Sequence, residues 1–382
     1  MNYNPIHLLQ ARNNDVISGN SDLETIYTIK NFPVFFGISE NLLEDDKFAD
    51  MNFQISKSTG MVQVNPLVDL KTVYQSSHNP GTIGQIWKKH HQALSEFLLK
   101  FNKNLILEIG GYSGILANNC IQQNEDINWT IIDPHVKQFN NNIKIDNSFF
   151  DENYKSETKY DLIVHSHLIE HVTDINSFLR TCHKNLTDDG YMVFSLPNFD
   201  MFIDKRLTNS INFEHTYFIN EYFLSKLFRL NGFELIEKTY YYEKFNIFYC
   251  VRKCNSEETT FDQSKYSEYK NKFLEYFDDI NIFIKNTNAE ISNTDNVFMF
   301  GGHVTSQFLL AMGLDENNIE YLLDNDPNKQ GKRLYGTNLI VKSPSILSEY
   351  ERPTLILKNS SFDEEIKNQI LEINKTTKIL TF

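Results

Sequence analysis

Leu105-Ile106-Leu107-Glu108-Ile109-Gly110-Gly111-Tyr112-Ser113-Gly114-Ile115-Leu116 decides the fold. An apolar run ends on an acid, a glycine-rich turn follows, and an apolar-periodic run resumes. That order predicts a buried parallel strand, a tight turn and a helix N-terminus. Glycine suits the turn because a Cβ would keep the backbone from closing on a ligand, toward which the free helix N–H groups then point. The spacing is not the dinucleotide Gly-x-Gly-x-x-Gly, nor a phosphate loop, which needs Gly-Lys-Ser/Thr.

Downstream, Trp129-Thr130-Ile131-Ile132-Asp133-Pro134 reads as a second strand ending in an acid. In nucleotide-binding α/β units a carboxylate there accepts hydrogen bonds from ribose hydroxyls. Ile143-Lys144-Ile145 reads as a third strand, and Phe149-Phe150 as an aromatic loop suited to stacking on adenine. Tyr160 to Val164 forms a fourth strand and runs into His165-Ser166-His167-Leu168-Ile169-Glu170-His171. His167 and His171 are expected to share a helix face, with His165 back on the strand. No metal motif such as His-Glu-x-x-His is formed, so a metal-free polar site is expected. Tyr191 to Pro197 gives a fifth strand, reached through a turn at Thr187-Asp188-Asp189-Gly190, and Phe233 to Ile236 and Asn246 to Val251 end the series. This β/α alternation predicts a mostly parallel sheet with helices on both faces and ligands at its carboxyl ends.

Around this core, residues 1–78 alternate short β-like runs with turns. The polar loop from Tyr74 to Gly84 precedes a helix over Gln85 to Phe101, with Ile86, Ala93, Leu94, Phe97 and Leu98 as its apolar stripe. Asn212-Phe213-Glu214-His215 leads into a helix from Asn220 to Leu230, and a Glu-His pair there can act as a base beside an orienting carboxylate. An acidic helix over 261–285 bridges to a second unit. There Val297 to His303, a helix through Met312, and Ile319 to Asp324 repeat the strand, glycine turn, helix, strand, acid order. A turn-rich basic loop, Asn325 to Arg333, follows. The expected domains are thus 1–78, 79–253, a helical linker over 254–290, and a Rossmann-like domain over 291–382.

The chain has 382 residues with Lys+Arg 36 and Asp+Glu 50, a net charge of −14. An acidic chain without a basic block argues against nucleic acid or an anionic membrane as partner. No apolar run reaches transmembrane length and no signal-peptide core opens the chain. Cys120, Cys182, Cys250 and Cys254 make no disulfide framework, so a cytoplasmic protein is expected, monomeric or weakly dimeric.

Glu108-Ile-Gly-Gly-Tyr-Ser-Gly resembles motif I of class I S-adenosylmethionine (SAM) methyltransferases. With Glu214-His215-Thr216-Tyr217-Phe218 and Asp324-x-x-Pro327-x-Lys329-x-Gly331, nearly the whole chain resembles the sugar C-methyltransferases of deoxysugar and polysaccharide biosynthesis. The resemblance implies a four-cysteine zinc domain, a central SAM domain and a C-terminal nucleotide-fold domain. It implies SAM as methyl donor, held by Glu108, Gly110, Gly111, Tyr112, Gly114, Asp133, Pro134, Phe149, Ser166 and His167. It places the catalytic residues at His215, Glu214 and His171, and acceptor contacts at Tyr74, His78 and Asn212.

The chain departs from that family in three places. At the zinc positions stand Asp15, Ser18, Ser56 and Thr59, so no structural zinc is expected. Asn212 replaces a tyrosine, and Phe245 to Tyr249 replace a His-Gly-Gly-Ser-x-Arg strand. The expected reaction is C-methylation of a nucleotide-linked sugar beside a keto group, with His215 as base. O- or N-methylation of a sugar is the alternative, followed by a non-catalytic binding protein of the same fold and by a metal enzyme using the 165–171 histidines.

Overall fold

A computed structural model of the chain describes residues 9–69, 85–136, 143–358 and 363–381. Tyr74 and His78, expected to touch the acceptor, lie outside them. An N-terminal lobe carries the antiparallel sheet β1 (Leu23–Pro33), β2 (Phe48–Ser56) and β3 (Val62–Asn65). Helix α1 (Gln85–Leu99) then leads into β4 (Leu105–Ile109), α2 (Ile115–Gln123), β5 (Asn128–Ile132), β6 (Ile143–Asp146) and β7 (Tyr160–Ser166). The central domain continues with α3 (Ile175–Asn185), β8 (Leu186–Pro197), α4 (Phe199–Asp204), α5 (Glu221–Leu230), β9 (Phe233–Tyr241) and β10 (Asn246–Lys253). After α6 (Ser264–Ile291) come β11 (Val297–Phe300), α7 (Val304–Ala311), β12 (Tyr321–Leu323), β13 (Val341–Lys342), β14 (Thr354–Ile356), α8 (Asp363–Ile373) and β15 (Lys378–Leu380).

The central sheet has the order β9-β10-β8-β7-β4-β5-β6, parallel except for β10, which runs antiparallel to both β8 and β9. The direction of winding reverses between β4 and β7, and the ligand crevice of such a sheet opens there, at the carboxyl ends. Ile106, Leu107, Leu162, Ile163, Val164, Val193 and Phe194 are fully buried, which is why these strands read as near-continuous apolar runs. The smaller sheet, β13-β12-β11-β14-β15, is parallel throughout and repeats the winding on a reduced scale.

Two sequence expectations shift. The fifth strand begins at Leu186, directly off α3, rather than at Tyr191, so Thr187 to Gly190 belong to β8. Ile86 is exposed, so the buried stripe of α1 starts later, with Leu94, Phe97 and Leu98. The bridging helix α6 packs on its neighbours: Tyr276, Phe277 and Ile280 are fully buried, and Tyr27 of β1 stacks on Phe277 at 3.9 Å.

The N-terminal lobe keeps two tight turns where the resembled family carries its zinc cysteines. The Asp15 carboxylate accepts from the Ser18 amide at 2.9 Å and the Ser18 hydroxyl at 2.6 Å. The Ser56 hydroxyl donates to Asp22 at 3.0 Å and accepts from the Thr59 amide at 3.2 Å. Hydrogen-bonding oxygens thus hold both turns.

The basic loop of the C-terminal domain turns inward. Arg333 makes a two-pronged ion pair with Asp46 of the N-terminal lobe, at 2.6 and 2.7 Å, with both side chains nearly fully buried. The pair sits where Arg333–Leu334 joins Ile38–Ser39 in a two-stranded sheet. Among the described residues, no helix is long and apolar enough to cross a membrane. Removing one partner of a buried pair strands the other, so Asp46→Ala should cost about 3 kcal/mol of stability. Urea denaturation reads this directly, and a loss below about 1 kcal/mol would show the pair to be as weak as a surface bridge.

Candidate functional site

At the carboxyl end of β4 the chain turns through Gly110 (φ 75°) and Gly114 (φ 60°), both in the left-handed region that favours glycine. Gly114 is the N-cap of α2, and no side chain caps that helix, so its first-turn amides remain for a ligand. Gly111 answers a different need from the one its motif suggested. A Cβ there would lie 2.5 Å from Cδ of Glu108, so this glycine makes room for the acid before it.

Glu108 accepts from the Trp129 indole at 2.9 Å, and burial pushes its carboxyl up to about 8 against that bond. Asp133, at the end of β5, accepts from the His135 amide at 2.7 Å and is raised by burial. Tyr112 and Phe149 are exposed beside the crevice and Pro134 is half-buried. Across it, Ser166 shares a 2.9 Å hydrogen bond with Ser195, and the His167 amide donates to the Ser195 carbonyl. The expected cofactor residues therefore line up on the ends of β4, β5 and β7. A SAM-type ligand fits this chemistry, with unclaimed amides for its carboxylate and acids for its cationic and ribose groups.

Beyond β7 lies a second group that the fold assembles from distant segments. Glu170 and His171 belong to a single 3₁₀ turn, Ile169–His171, and His215 to the loop before α5. His167 is not on a helix; its φ is 48°, and it reaches the same acid from the strand end. His167 Nδ1 lies 3.4 Å from Glu170 Oε1, and His171 Nε2 lies 3.9 Å from it. His171 Nδ1 is 3.8 Å from Glu214 Oε2, and the His171 and His215 rings are 4.8 Å apart. His215 Nδ1 lies 2.8 Å from the Ser210 carbonyl, a bond in which the ring must donate, so its Nε2 carries the lone pair.

Burial holds His171 down to about 3, and lowers His215 as well. Burial alone would raise Glu170, but His167, His171 and His215 outweigh it and hold the carboxyl low. Burial pushes Glu214 up to about 8.

The sequence reading found His215, Glu214 and His171 but missed Glu170, whose position between His167 and His171 was the available signal. It also missed α1, which lays Trp87 and His90 against the His167 ring at 4.9 and 5.2 Å. The Asn212 side-chain oxygen accepts from the Glu214 and His215 amides at 2.9 and 3.1 Å and so shapes the loop that carries them. His165 is buried in the sheet, stacked on Phe194 at 4.9 Å.

The loop holding His215 continues into a cavity of about 310 Å³ between the central and C-terminal domains. Lys205 and Thr208 line one side, and Thr305 of α7 and Lys358 after β14 the other. The Thr208 hydroxyl is buried without a hydrogen-bond partner, and burial lowers the Lys358 ammonium to about 8.

Residues 85–238 match the model of a methyltransferase domain, and residues 249–381 that of a C-methyltransferase C-terminal domain. No curated protein matches the chain. Among solved structures it is similar to the Burkholderia thailandensis 1,6-didemethyltoxoflavin-N1-methyltransferase with bound 1,6-didemethyltoxoflavin and S-adenosylhomocysteine, at 14% identity and TM-score 0.41, over 51% of this chain and 95% of that one. It is similar also to the N-methyltransferase NodS of Bradyrhizobium japonicum in complex with S-adenosyl-L-homocysteine (13% identity, TM-score 0.35, 45% and 89% covered). A third is human N-acetylserotonin methyltransferase in complex with SAM (16% identity, TM-score 0.38, 45% and 53% covered).

Glu108 gives a pH test. Its folded pKa lies above the unfolded value, so the unfolded state releases this proton first as pH rises from about 4.5 to about 8. Its contribution to stability is therefore full at acid pH and falls across that window. Glu108→Gln should gain on the parent protein between pH 5 and pH 8, by a few kcal/mol at most. Urea midpoints at the two pH values measure this, and a constant difference would show the carboxyl to be ionised throughout.

With the central sheet, the glycine turn and both domain matches in place, the chain is a SAM-dependent methyltransferase that carries a C-methyltransferase C-terminal domain.

Proposed function

We propose that this methyltransferase acts on a nucleotide-linked sugar and methylates the carbon beside a keto group. One observation carries the reading: the Ser210 carbonyl claims Nδ1 of His215, which leaves Nε2 as a proton acceptor inside a buried polar cluster past the end of β7. Carbon needs such a group because a C–H beside a carbonyl must be deprotonated before it can be alkylated. SAM, when bound, supplies an electrophilic methyl on its sulfonium.

The residues of the chain then divide the work. The turn at Gly110 to Gly114 and the acids Glu108 and Asp133 orient the donor. His215 Nε2 takes the proton from the sugar carbon, and the electron pair left there forms the new C–C bond. Glu214, held largely protonated at neutral pH by its burial, can donate to the carbonyl oxygen as charge grows on it. The cavity suits the diphosphate of a nucleotide sugar, since the ammonium groups of Lys205 and Lys358 and the hydroxyls of Thr208 and Thr305 meet there, with the Asp363 carboxylate beside Lys358.

His215→Asn should lower methyl transfer to a keto sugar by about a hundredfold or more while calorimetry shows SAM binding unchanged. Full activity in that variant would remove His215 from the reaction. Lys358→Met should raise KM for the nucleotide sugar and leave kcat nearly unchanged. Carbon NMR of the product formed with ¹³C-methyl SAM reads the bonded atom, and a methyl on oxygen or nitrogen would overturn the C-methylation reading.

A further inference from the structure

The geometry points to a divalent transition-metal site, of the zinc class, built from Glu170, His171 and His215. One potential ligand atom from each of these residues lies within 4.8 Å of the other two. Zinc bonded at about 2.0–2.2 Å spaces its tetrahedral ligands by roughly 3.3–3.6 Å. His171 Nε2 and Glu170 Oε1, at 3.9 Å, are thus too far apart for a hydrogen bond and close to the separation an ion between them would set.

Glu170 supplies the independent sign. It has no solvent exposure, and neither carboxylate oxygen makes a hydrogen bond within the described residues. A buried carboxylate in that state calls for a compensating cation or a strong donor. The imidazoles around it, at 3.4 and 3.9 Å, favour its charge through their fields but reach neither oxygen with good hydrogen-bond geometry.

The orientation of the rings agrees. Metal-bound histidines commonly turn their outer nitrogen to a carbonyl or carboxylate, which fixes the tautomer and aims the other nitrogen at the ion. His215 does so with the Ser210 carbonyl at 2.8 Å. His171 turns Nδ1 to Glu214 Oε2 at 3.8 Å and Nε2 to Glu170. Two imidazoles and one carboxylate leave a fourth position open, the pattern of catalytic rather than structural zinc. His215 comes from 44 residues beyond His171, which is why the closely spaced histidines alone carried no metal signature.

What the ion would do there rests on the function proposed above. An ion held there would occupy the Nε2 lone pair that the proposed base needs, so ion binding and proton acceptance by His215 would exclude each other. Whether the ion binds is separate from that step.

The test uses the full chain, stripped with a chelator and dialysed, with Zn²⁺ and Co²⁺ as probes. One ion per chain is expected by elemental analysis, and Co²⁺ should give visible absorption bands of a low-coordinate site. Glu170→Gln and His171→Ala should each weaken ion binding about a hundredfold or more, with circular dichroism and SAM binding as parent. Failure of the parent protein to take up an ion, or equal uptake by both variants, would overturn the site. Because uptake is read without any acceptor sugar, an ion-free chain that methylates no keto sugar would sink only the acceptor reading.

Discussion

One guanidinium holds the reactive group together. Arg12, nearly buried in the N-terminal lobe, donates to the Thr216 carbonyl and to the Thr173 carbonyl, each at 2.8 Å. Thr216 follows His215, and Thr173 follows the turn that carries Glu170 and His171. Thr216 adds bonds of its own, from its hydroxyl to the Val172 carbonyl at 2.9 Å and from its amide to the Glu170 carbonyl at 3.1 Å. Segments more than forty residues apart are thereby clamped until their imidazoles and carboxylates meet. Burial lowers Arg12 to about 10, so it stays charged at neutral pH, where each carbonyl bond is charge-assisted. The N-terminal lobe thus has a role in the site even though its own turns need only hydrogen bonds to keep their shape.

The sheet was legible because burial on both faces leaves a mark in the sequence: short, mostly apolar runs that end in polar or glycine-rich turns. Leu105 to Ile109, Trp129 to Ile132 and Tyr160 to Val164 all carry it, and each became a strand. The reactive cluster was legible only in part. Glu214-His215 and His171 stand out as residue types, whereas Glu170 and Arg12 act through contacts that no local spacing encodes. The Arg12 bond to Thr216 spans 204 positions. The turn role of Asn212, whose oxygen accepts from the two amides that follow, was not legible either, since it depends on backbone geometry.

Charge in the C-terminal loop shows the same limit. Lys329, Lys332 and Arg333 read together as a basic patch, yet they pair separately with Asp324, Glu40 and Asp46. The basic groups that line the cavity come from far apart, Lys205 after α4 and Lys358 after β14, and only the packing of two domains brings them together.

The two nucleotide-type units of the chain make a controlled comparison. Each has a strand, a glycine turn, a helix and a second strand ending in an acid. In the central domain Glu108 and Asp133 face each other with no basic side chain between them, and burial raises both. In the C-terminal domain burial would raise Asp324 too, but Lys329 at 2.9 Å and the amides of Gly302 and Asp326 hold it below the usual carboxylate range. The Asp324 carboxylate is consumed by its own loop, and a Cβ on Gly302 would already crowd Val341 at 2.9 Å. The same pattern of residues therefore gives one pair of acids raised by burial and one acid held low from within its own loop. A lysine five positions past the acid makes the difference.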